Sequence, residues 1–209
     1  MTNNAITLRT ARSLRVRGRR GNAIIELGLL AMPMVVLLLG TVNVGLNLGR
    51  SIQSAQLNRD AGSMFVRGVD FSATFNRNLL VRLGQGLGLA NTGGKGVVYL
   101  SKVTWMPASK CTALSLSPCN SNQHIIVQRL VIGDPALRAS TLGTPGSNLI
   151  GPTGIVSNAE TNATAVAYFP WIQLAENEYA FVSETYIDSN DFDIPGFQTD
   201  TGVYNISIN

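Results

Sequence analysis

Glu26 is the side chain whose position in this sequence most strongly indicates a chemical role. It lies five residues after Gly21, and no residue from Leu27 to Gly49 carries a charge. That run is 23 residues long, and a helix rising about 1.5 Å per residue needs roughly 20 to cross a membrane core. A carboxylate at the head of such a helix is costly to bury. We therefore predict either a role in recognition between chains or a side chain that reaches headgroup water.

Two cysteines form the next candidate site. Cys111 and Cys119 are separated by seven residues, and the chain has one histidine, His124. In an exported domain such a pair is expected to form one disulfide that closes a small loop. Two cysteines with one distant histidine make a much poorer metal site. We therefore predict a disulfide and no metal.

The remaining reactive residues do not form a recognisable catalytic set. His124 lies on a predicted strand, where a lone histidine is more often structural than catalytic. Residues 188–193 are acidic, but Phe192 and Asp193 stand where an EF-hand loop needs an oxygen ligand and a glycine, so a solvated turn is favoured. The sequence contains neither a G-x-S-x-G nor a G-x-x-x-x-G-K-[ST] motif. We predict no enzymatic activity and no cofactor.

The basic charge is concentrated at the N-terminus. The chain has 16 basic and 12 acidic residues. Six of the basic residues precede Gly21: Arg9, Arg12, Arg15, Arg17, Arg19 and Arg20. Without them the remaining chain is slightly acidic, so the charge does not indicate nucleic-acid binding. Positive residues beside a membrane helix stay in the cytoplasm, which predicts that the chain after Gly49 faces the opposite compartment.

Residues 1–21 allow three interpretations. They could form a disordered cytoplasmic tail, or the start of a secretory signal peptide. The following apolar run is too long for a signal peptide and is not followed by a small-residue cleavage site. The remaining alternative is cleavage before the helix, at Gly21.

A helix is predicted from residue 22 to about Val69. Pro33 should kink it, which membrane helices tolerate. Gly45 and Gly49 form a G-x-x-x-G pair that either lets another helix approach closely or reflects the frequency of glycine in membrane helices. Beyond Gly49 the helix is expected to carry a weak apolar stripe of Ile52, Ala55, Arg59, Gly62 and Val66. A second helix is predicted over 71–89, with a buried face of Phe75, Leu79, Leu80 and Leu83.

After Gly96 the periodicity becomes that of strands. Alternating, β-branched segments predict a sheet of three to five strands, drawn from Val97–Trp105, Gln123–Ile132, Thr164–Phe169, Glu178–Ile187 and Gly202–Ile208. The first two should form a hairpin whose loop holds the disulfide. Residues 133–162 are predicted to be a surface loop, and Trp105 and Trp171 core residues. The expected class is α+β, with a basic leader (1–21), a transmembrane and extended helix (22–69) and an extracytoplasmic domain (70–209) built on a small antiparallel sheet.

The order of arginine-rich leader, Gly21, Glu26 and apolar helix resembles the class III signal of type IV pilin-like proteins. The match is nearest to TadE-like minor pseudopilins of tight-adherence (Flp) pilus systems. It covers roughly residues 17–65 and includes Arg20, Gly21, Glu26, Leu27, Pro33, Gly40 and Gly45. The chain departs from the family pattern at Leu27, where phenylalanine is commoner, and at Asn43, where an acidic residue is frequent.

This resemblance implies a function in pilus assembly. A prepilin peptidase would cut between Gly21 and Asn22, and Glu26 would pair with the new α-amino group of a neighbouring subunit. The implied partners are other pilin and pseudopilin subunits, the peptidase, the inner-membrane assembly platform and membrane lipid. The implied location is the bacterial inner membrane, with a cytoplasmic N-terminus and a periplasmic domain, or an extracellular pilus after assembly. The alternative is an uncleaved single-pass protein whose extracytoplasmic domain binds an envelope component or ligand.

Overall fold

A computed structural model describes residues 19–188 and 202–209, with side chains from residue 23 onward. The helices are α1 (Arg19–Val66), α2 (Thr74–Leu83) and α3 (Ala108–Ala113), and the strands are β1 (Gly96–Met106), β2 (Gln123–Gly133), β3 (Tyr179–Ile187) and β4 (Val203–Ile208). The described chain divides into two compact units, one ending at Val44 and the other, here called the body, comprising Gly45–Asn209.

The body is built on one antiparallel sheet with the strand order β2-β1-β3-β4. Its β1–β2 hairpin has Tyr99 opposite Val131, and β1 pairs on its other side with β3, where Tyr99 lies opposite Glu184. The β-branched and aromatic residues of these segments suit the pleated surface of a sheet. A long N-terminal apolar helix followed by this sheet gives the predicted α+β class.

Helix α1 covers one face of the sheet with an unexpectedly polar stripe. In the part of α1 that belongs to the body, six residues are buried at helical spacing: Ser54, Leu57, Asn58, Ala61, Gly62 and Phe65. The predicted stripe is therefore wrong except at Gly62, since Ile52, Ala55, Arg59 and Val66 are exposed. Hydrogen bonds compensate for the burial of polar groups, which is why hydrophobicity alone did not locate this face.

Asn58 provides most of those hydrogen bonds. In the amide orientation that satisfies both of its ends, its nitrogen donates to the Ser183 carbonyl at 3.1 Å and its oxygen accepts from the Ser207 N–H at 3.1 Å. Nearby, Asn205 Nδ2 donates to Ser54 Oγ at 2.9 Å. These bonds connect α1 to both β3 and β4.

Helix α1 ends three residues before the predicted Val69. Gly68 adopts a left-handed φ of +81°, and the Val69 N–H donates to the Met64 carbonyl at 3.0 Å. Such a reverse bond to an earlier carbonyl is typical of a helix closed by glycine.

The second helix is shorter than predicted, and its buried face is different. Of the four predicted apolar residues only Leu80 is buried; Phe75, Leu79 and Leu83 are exposed. Arg77 turns toward the sheet instead and donates from Nη2 to the Val131 carbonyl at 2.9 Å. A polar contact to the edge strand therefore sets the rotation of α2.

The segment between β2 and β3 covers the opposite face of the sheet. It is not simply the predicted surface loop, because Leu142, Val156 and Ala159 are buried in the core on that side. The strand predicted at Thr164–Phe169 is also wrong: Ala163–Ala165 is a 3-10 turn, and Val166 forms only an isolated bridge with Ile125. The other four strands are confirmed to within one residue.

Candidate functional site

The residues of the predicted processing and assembly site all lie on α1. Gly21 and Asn22 lie in its first turns, where the description is limited to the backbone, and Glu26 is exposed one turn further along. Positions four residues apart are neighbours on one side of a helix. A charge at Asn22 and the carboxylate of Glu26 would therefore belong to the same side of α1.

From Ile24 to Leu48, the helix that carries these residues has a largely apolar surface on all sides. Large hydrophobic side chains from Ile24 to Leu48 are exposed, and several are more than 60% exposed, including Leu29 and Met32. A helix that is apolar all round must be covered by a membrane or by other protein. The stretch Ala23–Val66 is the one helix of the described chain that is long and apolar enough to span a membrane.

The predicted helix-packing residues lie within α1 and are open to contact. Pro33 lies inside the helix. A Cβ atom placed on Gly28, Gly45 or Gly49 would meet nothing within 4 Å. The surface of α1 at these three glycines, here called the glycine surface, is therefore available to another helix.

The predicted disulfide is present in the body. Cys111 lies on α3 and is joined to Cys119, with Cα atoms 6.0 Å apart. Cys111 is also part of the apolar core on the side of the sheet away from α1. The bond thus anchors the β1–β2 connection to that core.

An unpredicted buried ion pair lies on that same side. Arg129 on β2 and Glu184 on β3 approach to 3.6 Å between Nη1 and Oε2, with side chains 2% and 0% exposed. Burial lowers the pKa of Arg129, and the adjacent Glu184 carboxylate opposes that effect. The sequence did contain a signal for this pair. Two residues of opposite charge lie inside segments that are otherwise rich in β-forming residues.

Hydrogen bonds surround the Glu184 carboxylate. The Thr141 N–H donates to Oε1 at 2.8 Å, Tyr204 Oη donates to the same oxygen at 2.6 Å, and Ser140 Oγ donates to Oε2. Burial and the contact with Glu184 raise the pKa of Tyr204, so this phenol is a stable donor. The network ties the covering segment to the middle of the sheet, which indicates a structural role.

His124 is packed among aromatic rings. Its ring centroid lies 4.9 Å from that of Trp105 and 5.2 Å from that of Phe169, which in turn contacts Trp171. Burial lowers the pKa of His124. Trp105 is partly buried as predicted, but Trp171 is 46% exposed, so its assignment to the core was wrong.

The structure offers no metal centre in the region that it describes. Within residues 19–188 and 202–209, no three His, Cys, Asp or Glu side chains are grouped so that they could hold an ion. The predicted acidic turn at 188–193 lies, after Asp188, outside the described residues.

Comparison with known proteins identified no relative. No family model, no curated protein and no solved structure matches the chain.

Proposed function

We propose that this chain is the precursor of a membrane-inserted pseudopilin, similar to the TadE-like minor subunits of tight-adherence pili. One observation carries the proposal: α1 is largely apolar on all sides from Ile24 to Leu48, and Glu26, five residues after Gly21, is the one carboxylate between Ala23 and Gly49. Six arginines precede Gly21. This arrangement suits a helix that is first held in a membrane and later packed against other helices.

In this proposal a prepilin peptidase removes residues 1–21 on the cytoplasmic side. The new α-amino group of Asn22 is positively charged near neutral pH. In a low-dielectric helix bundle it would pair with Glu26 of a neighbouring subunit, since leaving either charge alone is costly. The pair would thereby fix the axial register between subunits.

The open glycine surface of α1 fits the same role. Packing between apolar helices in lipid depends on close contact, because lipid tails are as apolar as the side chains. Gly45 and Gly49 lie one turn apart and have no neighbours within contact distance. The body would then lie in the periplasm or on the pilus, where its disulfide can form. The partners of such a subunit are other pilins, the peptidase and the assembly platform.

The test is the N-terminus and intact mass of the protein, recovered from membranes of a host with its own prepilin peptidase. We expect a mature chain beginning at Asn22. Gly21→Val should abolish that product, whereas Gly18→Val, a matched change in the leader, should leave it intact. A start at Met1 in the unmodified protein would contradict the proposal and favour a permanently anchored, ligand-binding body.

A further inference from the structure

A cavity of about 320 Å³ lies at the end of the sheet where β1 begins and β3 ends. Its volume is within the range of about 300–1,000 Å³ that is typical of ligand pockets. The lining contains three charged side chains, Arg50, Lys95 and Asp188, together with the turn at residues 85–88. Lys95 is exposed and the other two are partly buried, so all three are accessible from outside the body.

This cavity lies beside the point where α1 leaves its uncharged run. Arg50 is the first charged residue after the stretch from Leu27 to Gly49. The other end of β3 lies much further along the helix, because Phe181 packs against Phe65 with ring centroids 5.4 Å apart. Phe65 is about 22 Å beyond Arg50 along α1, at about 1.5 Å per residue. When α1 spans a membrane, Arg50 therefore lies at the level of the lipid headgroups.

An apolar surface adjoins Arg50 on the same helix. Leu46 lies one turn before Arg50, on the same side of α1, and is 43% exposed. Leu48 is also exposed. A ligand that is charged at one end and hydrocarbon at the other would fit both the cavity and this surface. Phospholipids are built in this way, whereas a soluble phosphate compound would leave the apolar surface uncovered.

The charges in the lining indicate a ligand with one negative charge. Arg50 and Lys95 supply two positive charges and Asp188 supplies one negative charge, so the lining has a single net positive charge. A phosphodiester has one negative charge and oxygen atoms that accept strong hydrogen bonds from arginine and lysine. The Asp188 carboxylate would repel a ligand with more negative charge.

We propose that this cavity binds the phosphodiester group of an anionic membrane phospholipid. Arg50 and Lys95 contact the phosphate oxygens, and an acyl chain of the same lipid lies along α1 at Leu46. Such binding would hold the body close to the membrane surface. The site depends on membrane insertion of α1 and not on cleavage at Gly21, so a chain that starts at Met1 would bind the lipid equally well.

The test uses the full-length chain, labelled with ¹⁵N-lysine, in micelles of an uncharged detergent. The chain has three lysines, Lys95, Lys102 and Lys110. Their backbone amide signals are separated by NMR, and Lys95→Arg, which keeps the charge, assigns the first. Dioleoyl-phosphatidylglycerol is the probe. We expect a saturable shift of the Lys95 signal, while Lys102 and Lys110, which lie outside the lining, serve as references for the fold.

Two further ligands separate the lipid from other sources of phosphate. Dioleoyl-phosphatidylcholine has the same acyl chains and no net charge, and it should bind at least several-fold more weakly. Glycerophosphoglycerol is the soluble headgroup without acyl chains, and it should need at least about a tenfold higher concentration, because it buries no hydrocarbon. Equal binding of phosphatidylcholine would show that charge does not select the ligand. Equal binding of the soluble headgroup would assign the cavity to a soluble phosphodiester. Either result would overturn the proposal.

Substitutions of charged residues test the contacts themselves. Arg50→Gln should raise the half-saturating amount of phosphatidylglycerol about fivefold, the usual effect of one basic residue near an anionic surface. Asp188→Asn should lower it, which a disturbed fold would not do. Arg59→Gln, at an exposed arginine of α1 outside the lining, is the matched control and should stay within about twofold. The proposal fails if the unmodified chain shows no saturable Lys95 shift, if Arg50→Gln and Arg59→Gln have equal effects, or if Asp188→Asn does not bind more tightly.

Discussion

Arg129 and Glu184 form an ion pair that crosses the central strand of the body. They lie on β2 and β3, which are both neighbours of β1 and not of each other, with 3.6 Å between charged atoms. The residue opposite Arg129 on β1 is Ser101, which is small and buried. A larger side chain there would occupy the space through which the guanidinium reaches Glu184. The pair therefore joins three strands and, through Ser140 and Thr141, the segment that covers them.

We expect Glu184→Gln to destabilise the body strongly. The substitution leaves Arg129 charged and buried without a counter-ion, and breaking a buried pair in this way typically costs about 3–5 kcal/mol. Urea unfolding of the full-length chain in detergent, followed by tryptophan fluorescence, measures the loss. Glu176→Gln, at an exposed glutamate, is the matched control and should change stability by less than about 0.5 kcal/mol.

A double variant separates charge from packing. Arg129→Met combined with Glu184→Leu removes both charges, and apolar replacement of a buried pair is often close to neutral. We expect it to be more stable than Glu184→Gln. The single variants Arg129→Met and Glu184→Leu are measured as well. If the double variant loses as much free energy of unfolding as these two lose together, the hydrogen-bond network rather than charge balance stabilises this region.

How much the sequence could predict depended on the kind of interaction. Strands β1 to β4 have a clear alternation or β-rich composition and were located to within one residue. The buried face of α1 was missed because it is polar: Ser54 and Asn58 satisfy their hydrogen bonds on β3 and β4, which are distant in sequence. The processing site at Gly21 and Glu26 rests on residues that are local in the chain, and it stays a prediction.

The prediction of which face of α2 is buried failed for a related reason. Arg77 is drawn inward by the Val131 carbonyl, and this contact spans 54 residues of sequence. The hydrophobic pattern of a ten-residue segment cannot predict a contact with a residue so distant in the sequence. The ion pair of Arg129 and Glu184 is likewise a contact between segments, although two opposite charges inside strands were a detectable signal.

We expect His124 to make the body less stable in acid. Burial lowers its folded-state pKa below the ordinary value of 6.5, so the unfolded chain binds the proton more readily. The contribution of His124 is fully present above about pH 6.5 and is lost as the pH falls from there toward the folded pKa. In His124→Phe, which keeps an aromatic ring against Trp105 and Phe169, this part of the pH dependence should vanish.

The measurement is thermal unfolding of both proteins between pH 7.5 and 5. The difference in Tm between wild type and His124→Phe should change with pH only below about 6.5. A pH-independent difference would show that the histidine titrates equally in both states.

Loss of the disulfide should cost a moderate amount of stability. Cys111 and Cys119 are eight positions apart, and the chain-entropy estimate for so short a loop is about 2.5 kcal/mol at 25 °C. The double variant with Cys111→Ser and Cys119→Ser should therefore unfold at lower urea than the wild type. Reduction of the wild type should lower its urea midpoint by a similar amount, because both changes remove the same bond. Reduction should have no effect on the double variant, and an effect there would mean that the reductant acts elsewhere.

Gly133 should not tolerate a side chain. Its φ is +104°, and a Cβ would lie 2.0 Å from the Gly96 carbonyl oxygen, a backbone atom that cannot rotate away. Strain of this kind costs about 1–3 kcal/mol before the clash is counted. We expect Gly133→Ala to unfold at clearly lower urea than wild type. Gly86→Ala, where a Cβ meets nothing within 4 Å, should unfold near the wild-type midpoint.

The pseudopilin proposal predicts a separation of processing from assembly at Glu26. Glu26→Gln keeps the size of the side chain and removes its charge, so the peptidase should still release a chain beginning at Asn22. Without the carboxylate, the Asn22 amine of a neighbouring subunit has no counter-charge in the helix bundle, and pairing should weaken by at least about 1.4 kcal/mol, or about tenfold. The measurement is the amount of mature chain that co-purifies with the other pilin subunits. Met32→Gln, which places the same amide at an exposed helix position, controls for added polarity. Equal losses in both variants would assign the defect to the amide and leave Glu26 without a specific role.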